Sequence, residues 1–191
     1  MPANRTPDPP PAQPDDKDWT WVLERPCPDC GADVGELSMD AVANLNQKCA
    51  ADFAEILRRD SEWVHARPTP STWSPLEYAC HVRDVFTLFS QRLELMLNTD
   101  DPLFANWDPN VTALESNYHL TDPDQVAAEI LEAGNDIAAK FAALEPDQWE
   151  RPGRRSDGAS FSVLTFARYE VHDPLHHLWD VTGESMAGTF S

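Results

Sequence analysis

Residues 73–98 read WSPLEYACHVRDVFTLFSQRLELMLN and contain the clearest helix start in the chain. Ser74 is a residue type that caps helices, and Pro75 suits the first helical position. Glu77 lies three residues after the cap and completes a capping box. The stretch therefore predicts an amphipathic helix from Ser74 to about Asn98.

Three further segments show the helical period, with apolar residues at three- and four-residue steps. They cover residues 35–57, 122–144 and 162–183, and the last two also begin with residue types that cap helices. Residues 99–121 and 145–160 are rich in turn formers and are predicted as connections. Because no strand-like alternation of comparable length is present, the sequence predicts an all-α protein, an up-down four-helix bundle.

The N-terminal region has a different composition. Residues 1–18 hold six prolines and almost nothing apolar, so burial cannot offset the entropy of ordering them, and we expect a disordered tail. Residues 19–35 form a separate N-terminal segment, with an aromatic start and a CPDCG turn, that we expect to pack against the main body. The bundle itself is predicted over residues 36–185.

The charge balance excludes several kinds of partner. The chain has 14 Lys and Arg against 33 Asp and Glu, a formal charge of -19, which would repel the phosphates of a nucleic acid. No stretch approaches the ~20 apolar residues that span a bilayer, and no secretion signal is seen, so we expect a cytoplasmic protein that does not bind membranes. Four cysteines in that compartment are expected to be thiols or metal ligands.

Residues 166–181, FARYEVHDPLHHLWDV, carry histidines at a metal-binding spacing. His172 and His176 are four residues apart, which places both rings on one helix face within reach of a single ion. His81 lies two turns inside the helix that starts at Ser74. Taken alone, a histidine pair at this spacing is as often two ordinary polar residues as two metal ligands. A lone histidine is more often a hydrogen-bonded core residue than a ligand.

Two motifs carry a resemblance to a known family. They are W-S-x-x-E-x-x-x-H, residues 73–81, and H-D-x-x-H-H-L-x-D-V, residues 172–181. Together they resemble the DinB-like family of bacterial metal-binding four-helix bundles, which is related to mycothiol-dependent maleylpyruvate isomerases and bacillithiol transferases. The resemblance covers roughly residues 36–185.

The resemblance implies a ligand set and cofactors. One histidine of the second helix and two of the last helix, four residues apart, would bind a divalent ion, and these are His81, His172 and His176. Imidazole suits zinc and nickel equally, so either metal is expected. A low-molecular-weight thiol such as mycothiol is the second cofactor that the family suggests.

Several residues beside these histidines bear on the geometry. His177 competes with His176 but points about 100° away from it, so we expect it to make a hydrogen bond or face the bundle edge. Asp84 and Asp180 are candidates to orient imidazole N–H groups, or are solvated helix charges. Pro174 is expected to kink the last helix unless it breaks it.

A second, separate metal site is suggested by Cys27 and Cys30. Cys-Pro-Asp-Cys-Gly is half of a zinc knuckle, in which two thiolates converge at a tight turn. Two more ligands are required, and Cys49, His65 and His119 are candidates. A redox-active dithiol and a simple turn are the alternatives, and we place structural zinc first.

The sequence leads to two hypotheses for function. By resemblance, the protein is a metal-dependent thiol S-transferase of the mycothiol type, or a hydrolase, that acts on a small-molecule substrate; the catalytic residues cannot be assigned. The alternative is a non-catalytic, stress-related metal-binding protein. Basic residues near the metal would favour an enzyme, and the candidates are Arg83, Arg151, Arg154, Arg155 and Arg168. A homodimer is expected, because residues 18–23 and 99–121 need a surface to lie on.

Overall fold

The computed structural model describes residues 9–12 and 18–188. Most of the segment predicted to be disordered, residues 1–8 and 13–17, lies outside the described residues. The described part is dominated by helices, and the predicted all-α bundle is confirmed. The helices are α1 (Met39–Ile56), α2 (Ser61–His65), α3 (Pro75–Asn98), α4 (Pro109–Glu115), α5 (Pro123–Ala142) and α6 (Val163–Thr182).

The four long helices α1, α3, α5 and α6 correspond to the four predicted helices. Each begins at a side chain that accepts a hydrogen bond from a backbone amide of the first turn. These caps are Ser38, Ser74, Asp122 and Ser162. The capping box predicted from Ser74 and Glu77 is present. Local sequence therefore determines where the bundle helices begin.

Helices α5 and α6 each pack against both α1 and α3, so that α1 and α3 lie diagonally across the bundle. The α5–α1 contact is close because Gly134 has no side chain: a Cβ atom there would lie 2.5 Å from the Cβ of Ala50. The buried faces of these helices form one hydrophobic core. Within residues 9–12 and 18–188, no helix combines the length and hydropathy needed to cross a bilayer.

Helix α6 ends at Thr182, one residue before the predicted end, and Gly183 closes it with a positive φ of 71°. Pro174 is buried inside the helix and does not break it. The residues on both sides of this proline therefore keep helical spacing.

Three short strands pack against one end of the bundle, and the sequence did not predict them. They are β1 (Leu103–Phe104), β2 (Pro152–Arg155) and β3 (Ser160–Ser162). Strand β2 pairs antiparallel with β3 and parallel with β1. The prediction that residues 145–160 are only a loop was therefore wrong. Some of the turn-forming residues of that stretch make the turn between β2 and β3, and both strands are too short to show strand-like alternation.

Both segments behind the homodimer expectation lie on the chain's own bundle. A 3-10 helix, Trp19–Leu23, packs against α6. The connection 99–121 contains β1, α4 and a second 3-10 helix, Tyr118–Leu120, and the latter two contact α3. The oligomeric state stays a prediction.

Candidate metal centres

Helix α6 presents two pairs of metal-ligating residue types at the same spacing. His172 and His176 form one pair, and Asp173 and His177 form the other. Neighbouring residues on a helix point about 100° apart, so the two pairs face different surroundings. Each pair meets a different part of the chain and forms a separate group.

In the first group, His81 of α3 joins Asp173 and His177. One ligand atom from each of these residues lies within 4.8 Å of the others. Nε2 of His81 is 3.2 Å from Oδ1 of Asp173, and Nε2 of His177 is 3.6 Å from the same oxygen. We call this group the pocket triad, because all three side chains line one cavity.

The histidines of the pocket triad are held by their neighbours. Nδ1 of His177 donates to Oδ2 of Asp180 over 2.7 Å, which leaves the Nε2 lone pair directed at the group. The ring of His81 stacks on Trp107 with centroids 5.3 Å apart and is tilted against Trp73 at 5.1 Å. Two imidazoles and a carboxylate are a donor set that suits divalent transition metals, so the residues present fit such an ion.

The charge of Asp173 also favours a cation. Burial acts to raise the pKa of this carboxyl group, but the neighbouring His81 and His177 outweigh burial and hold the pKa below its ordinary value. The side chain therefore stays ionised around neutral pH. A carboxylate between two imidazoles creates a negative site at this point of the cavity.

The cavity around the pocket triad has a volume of about 730 Å³, and its walls combine aromatic rings with charged and polar side chains. Two arginines lie on it, Arg92 and Arg155. Arg155 donates to the Tyr169 hydroxyl and to Asp157. Arg92 donates to the backbone oxygen of Ala105, and its buried Nε atom has no hydrogen-bond partner in the described chain. Burial, with the charge of Arg155, lowers the pKa of Arg92 to about 10.

The second group consists of Cys27, Cys30, His172 and His176, and we call it the Cys-His group. One ligand atom from each lies within 4.8 Å of every other. Sγ of Cys27 is 3.7 Å from Nδ1 of His176, and Sγ of Cys30 is 3.8 Å from Nε2 of His172. His176 is half-buried and the other three are buried.

The turn that carries both cysteines is tightly built. Gly31 has a φ of 80°, and its amide donates to the carbonyl of Cys27 over 2.9 Å. The amide of Ala32 approaches Sγ of Cys30 at 3.5 Å. Burial raises the pKa of the Cys30 thiol to about 12, so that without a cation this sulfur stays protonated.

The structure divides the three histidines predicted to share an ion. His172 and His176 do lie on one face, as their spacing predicts, but that face meets Cys27 and Cys30. His81 meets Asp173 and His177 instead, and no single group of ligand atoms in residues 9–12 and 18–188 contains all three predicted histidines. The second i, i+4 pair in the sequence HDPLHH is the signal that could have revealed the pocket triad.

The structure also shows the partners of the other residues that the sequence suggested for the two sites. Asp180 orients an imidazole, that of His177, whereas Asp84 accepts from Tyr118 and Arg83. Cys49, which is buried in the core, does not complete the cysteine pair, and neither do the two histidines suggested with it.

Of the five arginines considered from the sequence, only Arg155 lines the described cavity, and Arg92 was missed. The other four bind elsewhere: Arg83 to Glu129, Arg151 to the Met96 carbonyl, Arg154 to Asp101 and Arg168 to the Leu37 carbonyl.

Comparison with known proteins identifies a family and a similar fold. A family model described as the DinB superfamily matches residues 47–181. Among solved structures, YfiT from Bacillus subtilis, described as a probable metal-dependent hydrolase with an unusual four-helix bundle topology, is similar in fold. The TM-score is 0.68 at 16% identity, over 82% of this chain and 92% of that one. No curated protein matches the chain significantly.

Proposed function

The chain belongs to the DinB superfamily, and from that premise we propose that it is a metal-dependent enzyme that hydrolyses a small anionic molecule. His81, Asp173 and His177 hold the ion, which we expect to be zinc or nickel. The observation that carries the proposal is the position of this pocket triad on a large cavity that two arginines also line. The description of YfiT as a probable metal-dependent hydrolase supports the same reaction class.

Three protein ligands suit a catalytic ion because they leave coordination positions for water and substrate. A divalent ion bound there supplies Lewis acidity, which polarises a carbonyl group and lowers the pKa of water. The protein's own residues prepare the site. Asp173 remains ionised, and Asp180 fixes the tautomer of His177, while the Trp73 and Trp107 rings hold His81 in place.

The arginines indicate the class of substrate. The Nε atom of Arg92 is a buried donor without a partner in the described chain, and a second guanidinium, Arg155, lies on the same cavity. Guanidinium groups bind carboxylates and phosphates through paired hydrogen bonds. A substrate with a carboxylate at one end and a hydrolysable carbonyl at the other would contact both Arg92 and the pocket triad.

Transfer of a low-molecular-weight thiol such as mycothiol is the second candidate. A thiolate can occupy an open metal position, and a cavity of about 730 Å³ has room for both a thiol and an electrophile. The remaining alternative is a protein that binds metal without catalysing a reaction.

The test is an activity screen of the zinc- and nickel-loaded protein against carboxylate-bearing esters and amides, with a parallel assay of thiol consumption from electrophiles. We expect hydrolysis, and we expect Arg92→Met to raise KM at least tenfold with a smaller change in kcat. Arg154→Met is the control, because that arginine is half exposed and paired with Asp101. Thiol consumption without hydrolysis would replace the hydrolase by the transferase. The absence of both activities in a metal-loaded protein would support the non-catalytic alternative.

A further inference from the structure

We infer that Cys27, Cys30, His172 and His176 form a structural zinc site, separate from the ion of the pocket triad. This inference does not depend on the proposed hydrolysis. It rests on the convergence of four ligand-type side chains from two segments far apart in sequence, the N-terminal turn and α6. The Cys-His group would therefore fasten the N-terminal segment to the bundle.

The spacing of the ligand atoms suits tetrahedral zinc. With zinc–sulfur bonds of ~2.3 Å and zinc–nitrogen bonds of ~2.0–2.1 Å, a tetrahedron places sulfur and nitrogen about 3.5 Å apart. Two of the four sulfur–nitrogen pairs in the Cys-His group, Cys27 with His176 and Cys30 with His172, are 3.7 Å and 3.8 Å apart. These two pairs are within a few tenths of an ångström of the tetrahedral value, and all four ligand atoms lie within 4.8 Å of one another.

The turn that carries the cysteines has the features of a zinc knuckle. Its glycine, Gly31, adopts a positive φ of 80°, and a Cβ atom there would lie 2.9 Å from the Ser185 hydroxyl. The amide of Ala32 points at Sγ of Cys30, and such a contact stabilises a thiolate. The amide of Met186 donates to the Cys30 carbonyl over 2.7 Å, which fixes the turn against the chain beyond α6.

The donor set indicates the metal and its role. Two thiolates and two imidazoles in a tetrahedral arrangement are typical of structural zinc, which has four protein ligands and no open position. Hard oxygen-preferring ions such as magnesium are not expected there. The ion would hold chain segments together rather than activate a substrate.

The fastened segment also forms a wall of the catalytic cavity. Trp19 packs on the rings of His172 and His176, with centroids 5.3 Å and 5.0 Å away. The same tryptophan lines the cavity together with Asp173 and His177. Zinc in the Cys-His group therefore positions an aromatic wall of the pocket without contacting the substrate.

Cobalt substitution tests the site, because cobalt bound to thiolates gives a ligand-to-metal charge-transfer band that histidine and carboxylate ligands do not give. We expect the wild-type protein loaded with cobalt to show this band and to bind two equivalents of metal. The double variant Cys27→Ser/Cys30→Ser should lose the band and one equivalent. The control is Cys80→Ser, whose new hydroxyl can keep the contact with Thr121, and it should retain both.

A second measurement uses a protein with both cysteines intact. Zinc-edge X-ray absorption of the His81→Ala variant should show a mixed coordination shell of sulfur and nitrogen, because only the Cys-His group would remain loaded. A shell without sulfur would overturn the inference, as would a charge-transfer band that persists in the double cysteine variant. A Cys27–Cys30 disulfide in freshly purified protein would assign the pair to redox chemistry instead. Absence of hydrolysis in metal-loaded wild-type protein that shows the charge-transfer band would refute only the proposed function.

Discussion

Arg67→Met would leave the carboxylate of Glu77 buried without its counter-ion. Nε of Arg67 donates to Glu77 over 2.7 Å, and a second guanidinium nitrogen contacts the other carboxylate oxygen. The side chains are 13% and 3% exposed, so water cannot replace the lost partner. Glu77 also accepts from the amide of Ser74 at the start of α3, the helix that positions His81.

The size of the effect follows from this burial. Removing one partner of a buried ion pair costs about 3–5 kcal/mol, because an uncompensated charge remains. For a domain of this size, about 2–4 °C is lost per kcal/mol, so the melting temperature should fall by about 6–20 °C. Removing one partner of an exposed ion pair would lower the free energy of unfolding by less than about 1 kcal/mol.

The effect should depend on pH in a defined direction. Burial acts to raise the pKa of Glu77, but the hydrogen bonds and charge of Arg67, together with the hydrogen bonds from Ser74, outweigh burial and hold the pKa below the ordinary value of 4.5. A depressed carboxyl pKa contributes stability that is present above the unfolded value and lost as pH falls through the folded one. In the Arg67→Met variant the arginine no longer opposes burial, so the pKa of Glu77 is higher than in the wild type. The difference in free energy of unfolding between wild type and variant is therefore widest near pH 7 and narrows toward pH ~4.

Urea unfolding monitored by circular dichroism, at pH 7 and near pH 4, measures both effects. The control is Arg58→Met, whose partner Glu55 is on the surface and whose own side chain is 60% exposed. Its free energy of unfolding should change by less than about 1 kcal/mol. An Arg67→Met loss as small as the control's, or equal at both pH values, would refute the reasoning about Glu77.

Two other substitutions test the packing and the metal site. Gly134→Ala should lower the free energy of unfolding by about 1–3 kcal/mol, because its Cβ would lie 2.5 Å from that of Ala50. Thermal melting measures this loss. The control is Asn135→Ala on the exposed face of the helix, which should be nearly neutral. Asp180→Asn should weaken metal binding by the pocket triad about 10–100-fold, because it removes the carboxylate that orients His177; competition with a chelator measures this, and unchanged affinity would contradict the role.

The sequence predicted the helical bundle well because its helix starts are local. Ser74, Asp122 and Ser162 each cap a helix within three residues of the chain, so no tertiary information is required. The strands escaped prediction for the opposite reason. Strand β1 pairs with β2 about 50 residues away in register Leu103 to Arg154, and neither strand is long enough to show alternation.

The sequence named His81, His172, His176, Cys27 and Cys30 as candidate ligands, but it did not name Asp173 or His177 as ligands and did not predict how the structure groups these residues. Helical spacing shows that His172 and His176 share a face, and equally that Asp173 and His177 do. It cannot show which element each face meets, because that depends on how α3 and the N-terminal turn pack against α6. The resemblance to a family supplied His81, and the structure supplied the partners of that histidine.

The central claim is tested most directly by a crystal structure of the zinc-loaded protein, with an anomalous difference map at the zinc absorption edge. We predict one peak bonded to His81, Asp173 and His177, with open positions facing the cavity. His172 and His176 should belong to a different peak, together with the two cysteines. A peak bonded to His81, His172 and His176, or no peak beside Asp173, would contradict the account.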